Sequence, residues 1–433
     1  MQETNTLVRT IGRWSLMALM LNSIVGSGIF GLPSALAARL GGLSPLVCIL
    51  AGLGVLVMAA CIAEVSSYYD ETGGLYLYAR DAFGRFAGLL TGWLIWLTRI
   101  AAPAAAANLF CTFLAQFFPA VATKTGTLLV LVTLICVLAY FNYIGVKTGS
   151  AVSNIFTTVK VGFLAFFVVA GLTAIVMRPE IRVPYSVPVL TAKSWSEALL
   201  LLVFAYGGFE GALAVGGETK NPKRDTPFAL LGALALLSIF YTGVQFVTVT
   251  TLPNAALSSR PLSDAARIFM GPVGATAITI AALISASGYL SACFLHTPRI
   301  SYALAKQGDF PAFLGAVHPK YRTPHVSILA FAVLLFAFSA LGNFKWNAVL
   351  SAVSRLAVYA AMALAVPVLR RRKGRTAQFR VPAPYLFAGT SVLICTVLLS
   401  QMGWRDFLVV GSTCAIALAN WLLVKGKAHD QAA

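Results

Sequence analysis

Charged side chains are scarce in this sequence. Asp, Glu, Lys and Arg make up 11% of its 433 residues, where a soluble chain carries about 25%. Acidic residues are the scarcest, with 14 Asp and Glu, and there are only four His, at 296, 318, 325 and 429. The seven Cys, at 48, 61, 111, 136, 293, 395 and 414, stand singly in apolar stretches, without the paired spacing of a disulfide framework or a zinc site. These shortages exclude a soluble globular enzyme and a disordered chain. What is present instead is apolar: 59% of residues are hydrophobic and the mean hydropathy is +0.83.

Apolar runs lie near 14–38, 43–66, 85–118, 127–143, 150–176, 196–217, 227–252, 273–305, 325–341, 347–369, 384–402 and 407–424. A helix needs about 20 apolar residues to cross a hydrocarbon core of roughly 30 Å, so the pattern predicts twelve transmembrane helices. Continuous apolarity of this length is unlike the ten-residue alternation of a barrel strand. The fold class expected is an all-α integral membrane protein in which residues 1–433 form one domain. The first run lacks a plain apolar core followed by a small-residue cleavage site, so it is not read as a signal peptide.

The formal net charge of +18 would point to nucleic acid on a soluble chain. Its distribution points to a lipid bilayer. With the N terminus inside, 20 of the 32 Lys and Arg fall on the inner side, nine on the outer side and three within spans. That asymmetry places both termini in the cytoplasm of a multi-pass inner-membrane protein, with Arg370-Arg371-Arg372-Lys373 as the clearest anchor.

Two runs carry glycine clusters at mid-span. Run one contains Asn22-Ser23-Ile24-Val25-Gly26-Ser27-Gly28-Ile29-Phe30-Gly31-Leu32-Pro33, and run six contains Phe204-Ala205-Tyr206-Gly207-Gly208-Phe209-Glu210-Gly211. Each Gly costs a helix interior about 1 kcal/mol, so three within six residues predict a local break. Such a break is tolerated at bilayer depth only where protein or a polar cavity shields the freed backbone. The breaks fall five runs apart, the spacing of two inverted repeats each led by a discontinuous helix. Repeat one then spans about 14–176 and repeat two about 196–369, with additional helices at about 384–424. Close helix packing is the alternative use of these glycines.

Gly26-x-Gly28-x-x-Gly31 matches a dinucleotide fingerprint in form only. No strand precedes it, and the next carboxylate is Glu64. The free N–H groups of an unwound Gly-Ser-Gly at a helix N terminus nevertheless suit a carboxylate, which leads to a small anionic or zwitterionic solute. The carbonyls at Ile24, Phe204 and Gly207 can accept from an ammonium group without any charged side chain. Phe204 is either a lid over the solute or a packing aromatic.

Ionisable residues inside spans are functional candidates because charging them there is costly. Lys160, in run five, has no acid three or four residues away on its helix; it either snorkels or stands where a sodium ion would sit and couples transport to protons. Glu210 either responds to protons or caps the second half-helix. Arg99 and Arg355 either pair with Glu64 or Glu210 or line the permeation route. His296 is expected to pack or hydrogen-bond locally. No HExxH, Cys/His metal spacing or nucleophile elbow occurs, so neither an enzyme, a cofactor nor a metal site is expected. A passive channel is the nearest different class, but no repeated carbonyl filter or ring of like charge is present.

The residues resemble the amino acid–polyamine–organocation (APC) transporter superfamily, bacterial amino acid permeases in particular. The similarity runs through Gly26-Ser27-Gly28-Ile29-Phe30, Ala63-Glu64-Val65-Ser66-Ser67, Gly73-Gly74-Leu75-Tyr76, Ala82-Phe83-Gly84, Phe204 to Glu210, and Gly217-Glu218-Thr219-Lys220-Asn221-Pro222-Lys223-Arg224. It continues through Pro298-Arg299 to Asp309 and Arg322-Thr323-Pro324. The resemblance implies a LeuT-like five-plus-five inverted repeat with broken helices 1 and 6, plus two C-terminal helices, and alternating access. It places an amino acid at the breaks, with Ser27 and Gly28 on its carboxylate and the Ile24, Phe204 and Gly207 carbonyls facing its amine. In similar members a lysine of the fifth span occupies the second sodium site, which implies proton coupling and no sodium site at Lys160.

Arginine/agmatine-type exchangers are similar around Glu210 but usually have Trp where Phe204 stands. Tyr69-Asp70 replace a common proline before the Gly-Gly pair. With no surplus of acids in the spans, proton-coupled uptake of neutral amino acids is expected, and the small residues at Ala101–Ala107 favour a medium or large one. Exchange or export, including cationic amino acid or polyamine antiport, stays open. So does the oligomeric state, monomer or homodimer.

Overall fold

A long apolar stretch can satisfy its backbone amides and carbonyls only within itself, and this chain does so with helices. The computed structural model describes residues 11–69, 74–145, 150–184, 188–213, 219–372 and 377–430. Among them the chain is helical or looped, with one isolated bridge between Ile11 and Thr219. Asp70, Gly73, Gly217, Glu218 and Lys373 lie outside the described residues.

The first half contains α1 (Arg13–Ile24), α2 (Gly28–Leu40), α3 (Ser44–Ser66), α4 (Gly74–Phe83), α5 (Arg85–Leu114), α6 (Lys124–Tyr143) and α7 (Ser150–Met177). The second contains α8 (Ala192–Tyr206), α9 (Glu210–Leu213), α10 (Pro222–Thr251), α11 (Pro261–Lys306), α12 (His325–Leu341), α13 (Phe344–Arg371), α14 (Pro384–Leu399) and α15 (Trp404–Asp430). Gly271, at φ 71°, interrupts α11, so a short helix precedes the long apolar one. That conformation is open to glycine and strained for other residues.

Among the described residues, seven helical stretches are long and apolar enough to cross a membrane, or eight if the bent pair α14 and α15 is one span. The lower number than the twelve apolar runs has a local cause. Runs one and six are divided into short helices, α12 has 17 residues, and Gly28–Ser66 reads as one continuous apolar stretch of 39 residues. The segment after run two is also not bare loop: it contains α4, an amphipathic helix that buries Leu75 and Tyr78.

Burial separates a central layer from a lipid-facing one. In α5 and α13, 72% of the most apolar stretch is buried, against 17% in α6. Leu129, Val169 and Ile239 remain exposed, as side chains facing acyl chains do. The centre is lined instead by small residues: Ala101, Ala104, Ala105, Ala106 and Ala107 are fully buried and allow close approach of neighbouring helices. The run of bases that ends α13 makes contacts within the protein. Arg370 forms a fork on buried Glu64, with Nε to Oε1 at 2.5 Å and Nη2 to Oε2 at 2.7 Å, and Arg372 pairs with Asp81 at 3.0 Å. Glu64 also accepts from the Val381 N–H at 2.8 Å, tying α3 to the chain that follows α13.

Candidate functional site at two helix breaks

Both glycine clusters interrupt their helices. α1 stops at Ile24, Val25 takes an extended ψ of 93°, and α2 starts again at Gly28. α8 stops at Tyr206, Gly208 adopts φ 119°, and α9 starts at Glu210. Roughly 180 residues apart in sequence, the two breaks lie against one another. A Cβ on Gly208 would collide with the Ser23 carbonyl, and one on Gly28 would lie 3.0 Å from the Ala205 Cα. Glycine is needed at 208 twice over, for its positive φ and for this backbone approach.

A cavity of about 440 Å³ runs from the breaks toward Leu75 of α4 and Ala303 near the end of α11. Asn22, Ser23, Arg99, Lys160, Gly208, Glu210, Tyr289, His296, Arg299, Arg355 and Tyr359 are among its lining residues. Ile24, Ser27, Gly28, Phe204 and Gly207 do not line it. All five are buried, and Gly28 lies against Phe204 and Ala205 where the two breaks meet. Ser27 is 2% exposed, and its hydroxyl has no hydrogen-bond partner among the described residues. The Phe204 carbonyl accepts the Gly207 N–H at 3.2 Å, and the Phe204 ring stands edge-on to Phe344 at 6.1 Å.

Lys160 is 2% exposed. Its ammonium donates to the Val25 carbonyl at 3.3 Å and to Asn22 Oδ1 at 3.4 Å, so α7 is attached directly to backbone freed where α1 stops. Glu210 accepts the Gly208 N–H at 2.9 Å through Oε2 and the Tyr359 hydroxyl at 2.5 Å through Oε1. Its carboxylate thus caps the start of α9, as expected for a negative charge at a helix N terminus. Arg355 Nε approaches the same Oε1 at 2.5 Å. The two side chains form a buried ion pair. The Arg355 guanidinium lies on Gly207, where a Cβ would overlap it.

Of the two pairings open for Arg355, Glu210 is the one formed, and Glu64 is occupied by Arg370. Arg99 pairs with neither. Its Nε is buried and without a partner among the described residues. His296, expected to pack or hydrogen-bond locally, lines the cavity. Tyr289 and Tyr359 were not singled out from sequence: nothing in an isolated Tyr within an apolar helix distinguishes a cavity wall from packing.

The opposite end of the breaks is shut. Phe344 packs on Gly31, where a Cβ would overlap the ring. Ser34 donates to the Ser258 carbonyl at 2.6 Å, and Arg39 pairs with Glu197 at 2.9 Å. The cavity is therefore open on one side of the breaks and closed by aromatic and polar contacts on the other. Among the described residues, no three His, Cys, Asp or Glu side chains come together in a way that could hold a metal ion.

A membrane-embedded chain with a dead-ended cavity at two facing helix interruptions has the form of a carrier. The chain belongs to the amino acid permease family, which matches it over residues 11–418, as the motifs had indicated. It is similar to the serine/threonine exchanger SteT of Bacillus subtilis (strain 168), at 29% identity over 96% of each chain. It is also similar to the methylthioribose transporter of the same organism, at 27% identity over 89% of this chain and 88% of that one. The arginine/agmatine antiporter of Chlamydia pneumoniae is 27% identical over 85% of this chain and 79% of its own. The family is one of transporters, and the chain is a membrane protein of that family.

Proposed function

We propose that this protein is a secondary active transporter that moves an amino acid across the cytoplasmic membrane by alternating access around the two breaks. The observation that carries the reading is the cavity that ends at the breaks, with Lys160 on the carbonyl freed at Val25. In this reading the twelve apolar runs are twelve spans in a five-plus-five inverted repeat with two further helices, both termini are cytoplasmic, and the cavity opens to the cytoplasm. The solute seats its carboxylate at Ser27 and Gly28 and its amine at the carbonyls of Ile24, Phe204 and Gly207 once the breaks part. The orphaned Ser27 hydroxyl is then a donor for that carboxylate. A bilayer-spanning pore is disfavoured by the closure at Phe344.

Lys160 is the coupling group, holding by its own charge the place of a sodium ion and releasing its proton as the cavity changes hydration. The cavity also supports the expectation of a non-cationic substrate, because Glu210 is its one carboxylate among the described residues and Arg355 already neutralises it. Neutral amino acids meet that condition. Exchange is the second reading, favoured by the exchanger and antiporter among the similar proteins.

The test is uptake into proteoliposomes of purified protein, with the twenty amino acids competing against one labelled substrate under imposed pH and sodium gradients. Saturable uptake driven by an inward proton gradient and indifferent to sodium is expected. Unsaturable flux would sink the carrier reading. Uptake that requires counter-substrate would move the assignment to exchange.

A further inference from the structure

The cavity carries more positive charge than its one carboxylate balances. Arg99, Lys160, Arg299 and Arg355 all line it, with Glu210 as the acid among the described residues. The partners of these cations can be accounted for one by one. Arg355 is held by Glu210, Lys160 by the Val25 carbonyl and Asn22, and Arg299 by the Leu295 carbonyl of its own helix. Arg99 has no hydrogen bond or ion pair among the described residues, and its Nε is buried.

Arg99 cannot relieve this by reaching the membrane surface. It lies at the middle of α5, about 21 Å along the axis from Arg85 at 1.5 Å per residue, and its side chain is partly exposed there, so the charge faces the cavity. Its guanidinium is also placed beside the breaks. Gly211, one residue past Glu210 at the start of α9, leaves the space it occupies: a Cβ there would lie 3.0 Å from Arg99 Nη2. A solute whose α-carboxylate and amine are held at the breaks would extend its side chain into the cavity toward that guanidinium.

We propose that Arg99 is a specificity-determining residue that receives a second carboxylate, so that the preferred substrate is an acidic amino acid. The planar guanidinium presents parallel N–H donors that match a carboxylate in a two-point contact, and a buried donor left unmatched by a neutral isostere discriminates against it. The proposal narrows the non-cationic substrate class of the transporter reading and rests on that reading for the placement of the amino acid. An inorganic anion such as chloride shares the negative charge but not the two-point geometry.

The test uses full-length protein with Arg99→Gln and Arg99→Lys, each checked for a monodisperse profile in detergent. Thermal stabilisation by L-aspartate, L-glutamate, L-asparagine, L-glutamine and chloride is measured beside transport in proteoliposomes. The wild type is expected to favour the acids at least tenfold over their amides in both readouts. Arg99→Gln should erase that preference while keeping amide transport, and Arg99→Lys should retain part of it. Transport of neutral amino acids with no binding or competition by aspartate or glutamate overturns the proposal and leaves the transporter reading standing. Binding of the acids through Arg99 without transport upholds the proposal and overturns the reading. Stabilisation by chloride that the acids do not displace also overturns the proposal.

Discussion

The carbonyl of Val25 accepts from Lys160 at 3.3 Å, so a charged side chain of α7 is bonded to the segment where α1 has come apart. Any movement that separates α7 from α1 must break this bond, and loss of the Lys160 proton would weaken it. The proposed coupling through Lys160 would act at this bond.

Neutralising that link should uncouple transport. Lys160→Ala is expected to lower accumulation driven by a pH gradient at least tenfold while leaving equilibrium exchange measurable. Parallel uptake assays with and without an imposed gradient check this. Unchanged pH-driven accumulation would remove Lys160 from the mechanism.

The pair formed by Glu210 and Arg355 is buried on both sides, with side chains 8% and 4% exposed. Removing one member strands the other, which costs about 3–5 kcal/mol in buried pairs. Glu210→Gln and Arg355→Gln should each lower the melting temperature in detergent markedly. The combination of Glu210→Gln with Arg355→Met should recover much of the loss. Additive losses in the double variant would show that the two residues act independently.

Gly208→Ala tests the closure of the breaks. The left-handed backbone costs a substituted residue about 1–2 kcal/mol, and the added methyl meets the Ser23 carbonyl. Transport should fall sharply while the protein still purifies as a monodisperse species. A Gly208→Ala variant with normal saturable transport would show that the contact between the breaks is dispensable.

A cysteine placed at Ser291 reports which side of the membrane the cavity opens to, because Ser291 lines the cavity and is partly exposed, whereas Cys293 is buried. With all seven native cysteines replaced, an impermeant thiol reagent should label Ser291→Cys in inside-out vesicles and not in right-side-out ones. Labelling from the outer side alone would reverse the orientation.

Much of this was legible in the chain itself. The positions of both breaks, at Val25–Ser27 and Gly207–Phe209, follow from glycine clusters whose cost to a helix is local, and Lys160 stood out because an isolated charge in an apolar run is conspicuous at any packing. The short helix α4 was less visible, since an amphipathic stretch of ten residues between spans reads as loop until its apolar side finds a surface. Arg99 and Arg355 looked alike in sequence. Both are single arginines in apolar helices, and nothing local says which of them meets Glu210.

Residence in the membrane, division into helices and the places where two helices break were determined by the sequence alone, because each depends on the composition of a short window. Only the tertiary structure decided that the breaks face each other, that the space beside them opens toward α4 and is shut at Phe344, and that Arg355 is neutralised while Arg99 is not. Those facts depend on distances between helices far apart in the chain. Such distances follow from the packing of all the helices together, and several pairings of the same charges are equally compatible with the order of residues.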